Sequence, residues 1–228
     1  MRLAVISGPP SSGKTSIIIK TATNLMEQGF KVGVMKFDCL YTNDDEIYAK
    51  KNILAKKGLS GGLCPDHFFI SNIEDCVDWA HQEKLDVLFA ETAGLCNRCS
   101  PYIQNITAIC TIDNLSGINT PQKIGPMLKS ADIVAVTKSD IVSQAEKEVF
   151  ASRVSFVNPK AKILHVNGLT GQGSEELAKL ILSNELAISN LEGYRLRFPM
   201  PAALCSYCLG ETRIGKSYQL GNVKKIKM

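Results

Sequence analysis

The chain has 228 residues, 45% hydrophobic and 21% charged, which fits an ordinary globular domain with room for a small appendage. Its net charge of +4 is not gathered into arms, so nucleic acid is not expected as a partner; no apolar stretch approaches the roughly 20 residues that span a bilayer, so neither is a membrane. The N-terminal apolar run is too short for a signal-peptide core, and the expectation is a cytoplasmic protein. There, eight cysteines point to metal or redox chemistry rather than to a disulfide framework.

In chain order, apolar runs predict strands near 2–7, 31–37, 67–70, 86–91, 106–112, 132–138 and 162–166. Helical patterns fall between them, near 14–28, 43–57, 73–83, 120–129, 142–154 and 173–188. This alternation predicts an α/β fold, a mostly parallel sheet flanked by helices. After about residue 190 the alternation stops. The expected organisation is therefore a nucleotide-binding domain over 1–190 and a short cysteine-containing appendage over 191–228. The basic tail, Lys224-Lys225-Ile226-Lys227, reads as a solvated terminus.

The first strand runs directly into Gly8-Pro9-Pro10-Ser11-Ser12-Gly13-Lys14-Thr15, which fits the phosphate-loop pattern G-x-x-x-x-G-K-[ST], with Ser16 next in the following helix. Glycines let the backbone wrap a phosphate chain, and the helix N-terminus adds favourable charge. Lys14 is expected to reach the β/γ-phosphates and Thr15 to ligate Mg²⁺.

At the end of the second strand, Asp38 is a candidate for orienting the attacking water or binding the Mg²⁺ shell, while Asp44 and Asp45 read as carboxylates favoured by a helix dipole. The run Asp86 to Glu91 is a strand ending in a carboxylate suited to the Mg²⁺ shell, and Thr92-Ala93-Gly94 follows, its glycine N–H available to a γ-phosphate. Farther on, Thr137-Lys138-Ser139-Asp140 resembles the [NT]-K-x-D element that reads guanine. Adenine lacks the donor pair that this carboxylate accepts, so a buried Asp140 would be left unpaired against ATP. Asn167, Gly168 and Leu169 begin a second base-contacting loop.

The cysteines divide into pairs and singles. Cys64 and His67 are expected in a loop entering a strand, where thiolate and imidazole together suit Ni²⁺ or Zn²⁺. Cys96/Cys99 and Cys205/Cys208 are two C-x-x-C pairs, able to close a tetrahedral zinc site or hold an iron–sulfur cluster, together or apart. Cys39, Cys76 and Cys110 sit in apolar sequence and read as core thiols.

Taken together, these motifs resemble the GTPases that insert nickel into hydrogenase and urease, HypB and UreG, of the SIMIBI class of P-loop proteins. The likeness runs through roughly residues 2–185. Its most specific parts are Gly61-Gly62-Leu63-Cys64-Pro65-Asp66-His67, Glu91-Thr92-Ala93-Gly94 and Thr170-Gly171-Gln172-Gly173. The resemblance implies GTP hydrolysis with Mg²⁺, a GTP-dependent homodimer, a metal relayed through Cys64 and His67, and a client metalloenzyme or its accessory proteins. Departures are the extra Asp66 between Pro65 and His67, the missing His-rich N-terminal tract, and the added C-x-x-C pairs. An iron–sulfur or corrinoid-protein maturation factor and a metal-binding scaffold with negligible turnover are the rival readings.

Overall fold

The computed structural model describes residues 1–198, 210–219 and 223–226. The strands are β1 (Arg2–Ser7), β2 (Val32–Asp38), β3 (Leu54–Leu59), β4 (Val87–Glu91), β5 (Thr107–Asp113), β6 (Ile133–Thr137) and β7 (Lys162–His165). They form one sheet in the order β3-β2-β4-β1-β5-β6-β7, every pair parallel. A parallel strand covered on both faces must be apolar at successive positions. In β1, Leu3 and Val5 enter one core cluster while Ala4 and Ile6 enter the other.

The helices are α1 (Lys14–Glu27), α2 (Asp44–Ala49), α3 (Pro65–Gln82), α4 (Thr120–Lys123), α5 (Pro126–Lys129), α6 (Gln144–Val157) and α7 (Ser174–Leu182). Helices α1 and α7 bury Ile17, Ile18, Leu25, Leu177 and Ile181 in one cluster. On the other face, α3 and α6 bury Phe68, Phe69, Ile73, Phe150 and Val154. Among the described residues no helix is long and apolar enough to cross a membrane.

Four expected elements need correction. The expected helix over 173–188 stops at Leu182. Residues 67–70 are not a strand but part of α3. The aromatic run His67-Phe68-Phe69-Ile70 has strand-like composition, yet Pro65 at the first helical position and apolar side chains recurring through Trp79 make it helical. The expected helix over 43–57 stops at Ala49, and Leu54–Leu59 becomes β3. As an edge strand, β3 pairs, among the described residues, with β2 alone and tolerates Lys56 and Lys57, which masked its strand character. The expected helix over 120–129 is divided into α4 and α5 at Gly125, which takes a positive φ of 65° before Pro126.

The C-terminal residues return to this core. Ile103 bridges Leu196, Arg195 bridges Arg213, and Leu191, Leu196 and Ile214 are buried in the α3 cluster. Nor is the basic tail merely solvated. Asn72 Nδ2 donates to the Lys224 carbonyl at 2.9 Å and Asn72 Oδ1 accepts from the Ile226 N–H at 2.9 Å, while Lys225 pairs with Asp75.

Candidate functional site

In open parallel sheets, ligands bind beyond the carboxyl ends of the strands, where connections leave in opposite directions. Here that point is β1, between β4 and β5, and the phosphate loop leaves its end. Gly13 caps α1 in a left-handed conformation, with φ 92°. Lys14 Nζ donates to the carbonyls of Gly8 at 2.8 Å and Pro9 at 2.9 Å. Burial pushes the Lys14 ammonium down to about 8, against the opposing pull of Glu91. An ammonium so placed, in the same loop as a buried Ser12 hydroxyl with no hydrogen-bond partner among the described residues, suits a loop built to receive phosphate oxygens. Gly94 packs directly on this loop: its φ is +68°, and a Cβ there would lie 1.7 Å from the Gly8 carbonyl oxygen. Only glycine fits so close a backbone approach.

Residues of the Thr137-to-Asp140 element attach to the same loop. Thr137 Oγ1 donates to the Ser12 carbonyl at 2.6 Å, and Lys138 Nζ donates to the Ser11 carbonyl at 3.0 Å. Asp140 opens onto a cleft that it lines with Ser139, Gln144, Lys147, His165 and Asn167. It is exposed, not buried as expected from the sequence, so discrimination between bases would need the base itself to exclude water from the carboxylate. Asn167 Oδ1 accepts from the N–H groups of Leu169 at 2.8 Å and Thr170 at 3.0 Å, shaping its own loop. A Cβ on Gly168 would lie 2.6 Å from Ser16 Cβ, so this loop rests on the start of α1. Leu169 is exposed.

Between the phosphate loop and β4 lies a buried charged cluster. Thr15 Oγ1 donates to Glu91 Oε1 at 2.9 Å and to Asp44 Oδ2 at 3.2 Å. Lys36 Nζ lies 2.7 Å from each of those two oxygens and 3.8 Å from Asp38 Oδ2. Tyr48 donates to Glu91 Oε2 at 2.6 Å. Burial opposes the Lys36 ammonium, but Glu91 and Asp44 outweigh it and hold Lys36 above its usual range. Sequence reasoning missed Lys36 and Tyr48 and assigned Asp44 only to the helix dipole. The available signal was a lone lysine in an otherwise buried strand, since buried lysines need partners.

The sequence pattern of the CobW/HypB/UreG nucleotide-binding domain matches residues 2–165. The chain belongs to this family. It is 51% identical over 226 residues to an uncharacterised protein of Methanocaldococcus jannaschii, covering 99% of this chain and 96% of that one. It is 31% identical over 197 residues to the urease accessory protein UreG of Edwardsiella ictaluri, covering 79% and 93%. Among solved structures, the fold is similar to the hydrogenase maturation factor HypB of Archaeoglobus fulgidus, with a TM-score of 0.62 at 21% identity over 80% of this chain and 89% of that one. It is likewise similar to HypB of Helicobacter pylori in complex with nickel, with a TM-score of 0.63 at 21% identity over 80% and 86%.

In this CobW/HypB/UreG chain the thiols converge differently from the sequence expectation. Cys64 is the N-cap of α3, not part of a loop entering a strand. Ligand atoms of Asp66, Cys96 and Cys99 lie within 4.8 Å of one another, with the two sulfurs 3.5 Å apart. Cys64 is exposed beside them, near enough for its charge to act on Cys99. His67 is buried in the first turn of α3 and is not in this group. The added Asp66, a departure from the family motif, is thus the residue that faces the C-x-x-C pair. Burial pushes Asp66 up to about 6 and also raises Cys99, so a bound cation would favour the ionised form of both. A carboxylate with two thiols offers mixed hard and soft donors of the kind zinc accepts. Cys76 and Cys110 are buried core thiols, whereas Cys39 is only partly buried and donates to the Gly61 carbonyl at 3.4 Å. Cys205 and Cys208 lie outside the described residues.

Proposed function

We propose that this protein is a GTPase that couples GTP binding and hydrolysis to delivery of a divalent metal, nickel in preference to zinc, to a client metalloenzyme or its accessory proteins. The observation that carries the reading is the short run from Glu91 to Cys99. It begins at the carboxylate bonded to Thr15, passes through Gly94 against Gly8, and ends at the thiol pair facing Asp66. A shift of Gly94 on engaging a γ-phosphate would therefore move Cys96 and Cys99 relative to Asp66.

In this reading Lys14 binds the β/γ-phosphates, and Thr15, Asp38 and Glu91 would hold Mg²⁺, with Asp44 added by the geometry. Bound Mg²⁺ would neutralise phosphate charge. Lys36 already rests as a cation among these oxygens, which supports the fit of the site to a divalent ion. Asp38 orients the attacking water, and Asp140 accepts from the guanine donors. GTP favours a homodimer, and hydrolysis dissolves it, so the two states bind the cargo metal differently. The similarity to HypB of Helicobacter pylori, solved in complex with nickel, supports nickel as cargo.

Equilibrium dialysis of Ni²⁺ against the protein, loaded with GDP or a non-hydrolysable GTP analogue, tests this. Coupling of about 1–3 kcal/mol is typical, and linkage requires the metal to change analogue affinity by the same factor. Equal metal affinity in the two states would refute delivery by nucleotide switching.

A further inference from the structure

Lys36 lies at the centre of the charged cluster, with its side chain 6% exposed. Glu91, Asp44 and Asp38 face it from β4, α2 and β2, and Thr15 Oγ1 bonds to the same two oxygens that Lys36 holds at 2.7 Å. Glu91 is fully buried while Asp44 and Asp38 are partly exposed, and three carboxylates so close together need positive charge among them. A Mg²⁺ ion on Thr15 and Glu91 would need oxygens at about 2.0–2.1 Å and would occupy nearly the space that the ammonium fills. Two cations cannot share that space.

We propose that Lys36 is a tethered counter-cation of the Mg²⁺ site. It positions Glu91 and Asp44 before Mg²⁺ arrives, and it withdraws when the ion enters with the nucleotide. This inference rests on the reading of Thr15, Asp38 and Glu91 as Mg²⁺ ligands. By competing for the carboxylates, Lys36 prevents the nucleotide-free protein from taking up Mg²⁺, and the added negative charge of the phosphates tips the balance. Mg²⁺ entry is thereby tied to nucleotide loading.

Thermal unfolding of the nucleotide-free full chain over a millimolar Mg²⁺ series, with Na⁺ of equal ionic strength as control, tests the proposal. Wild type should be indifferent to Mg²⁺. Lys36→Met should unfold at lower temperature without Mg²⁺ and gain several degrees, saturably, as Mg²⁺ is added, because a ligand that binds only the native state stabilises it. Lys36→Arg, which keeps the charge, should behave as wild type. Should Lys36→Met not fold, Lys36→Met/Asp44→Asn decides the matter, since removing one ammonium and one carboxylate leaves the charge of the cluster unchanged; Mg²⁺ should stabilise this variant. A Mg²⁺-independent midpoint in the folded variant, or an equal Mg²⁺ shift in wild type, would overturn the competition. Labelled GTP binding to wild type is measured in parallel. Its absence would count against the nucleotide reading, while its presence with no Mg²⁺ shift in the variants would count against the role of Lys36 alone.

Discussion

Thr137 and Ser12 lie 125 residues apart in sequence, yet the Thr137 hydroxyl donates a buried 2.6 Å hydrogen bond to the Ser12 carbonyl. The bond ties the end of β6, which leads to Asp140, to the phosphate loop. The segment leading to Asp140 and the phosphate loop are thus held in one frame. Thr137→Val keeps the shape and leaves the Ser12 carbonyl without this donor, at a cost of about 1–3 kcal/mol. Urea unfolding should record the loss, and GTP and GDP affinities should fall together. Unchanged stability would show that the bond is dispensable.

Asp140 is exposed, so Asp140→Asn should leave stability unchanged while weakening GTP binding by about 2–4 kcal/mol, as for truncated charge pairs that become buried on binding. Titration with labelled GTP and ATP checks both the loss and the base. A wild-type preference for ATP would remove Asp140 from base recognition.

The convergence of Asp66 with Cys96 and Cys99 predicts which substitutions affect metal. Asp66→Asn, Cys96→Ala and Cys99→Ala should each weaken Ni²⁺ or Zn²⁺ binding in dialysis, and Cys64→Ala should do so to a smaller extent because it lies outside that group of three. Cys76→Ala and Cys110→Ala, in the core, should leave metal affinity nearly unchanged. Loss of affinity in Cys110→Ala equal to that in Cys96→Ala would contradict the assignment.

Asp75 holds the C-terminal tail through Lys225 at 3.0 Å and Lys216 at 3.2 Å. Burial would raise its carboxyl, but hydrogen bonds from the two lysines prevail and lower it below its ordinary 3.8. The contribution is therefore fully present above pH 3.8 and is lost as pH falls through the depressed native value. Half-exposed pairs of this kind contribute about 0–1 kcal/mol. Asp75→Asn should accordingly leave the core intact at neutral pH but speed tryptic cleavage after Lys224 and Lys225. Cleavage at the wild-type rate would mean that the other contacts, those of Asn72 and of the Leu59 and Ser71 carbonyls, secure the tail.

Much of this protein was determined by local sequence. The phosphate loop, the strand ending at Glu91 and the Thr137-to-Asp140 element are contiguous motifs beside apolar runs, and each forms where its own residues predict. A parallel sheet buried on both faces imposes long apolar stretches, which made six of the seven strands legible. The edge strand β3 was not, because an edge needs only one apolar face and its lysines resemble those of a surface helix. Tertiary structure alone decided which charges meet. Lys36, Asp44 and Tyr48 come from β2 and α2 to a carboxylate on β4, and Asp66 reaches Cys96 and Cys99 from the first turn of α3. No periodicity encodes such meetings. They follow from strand order and helix packing, which bring residues tens of positions apart within a few ångströms, where burial makes each charge depend on its partners.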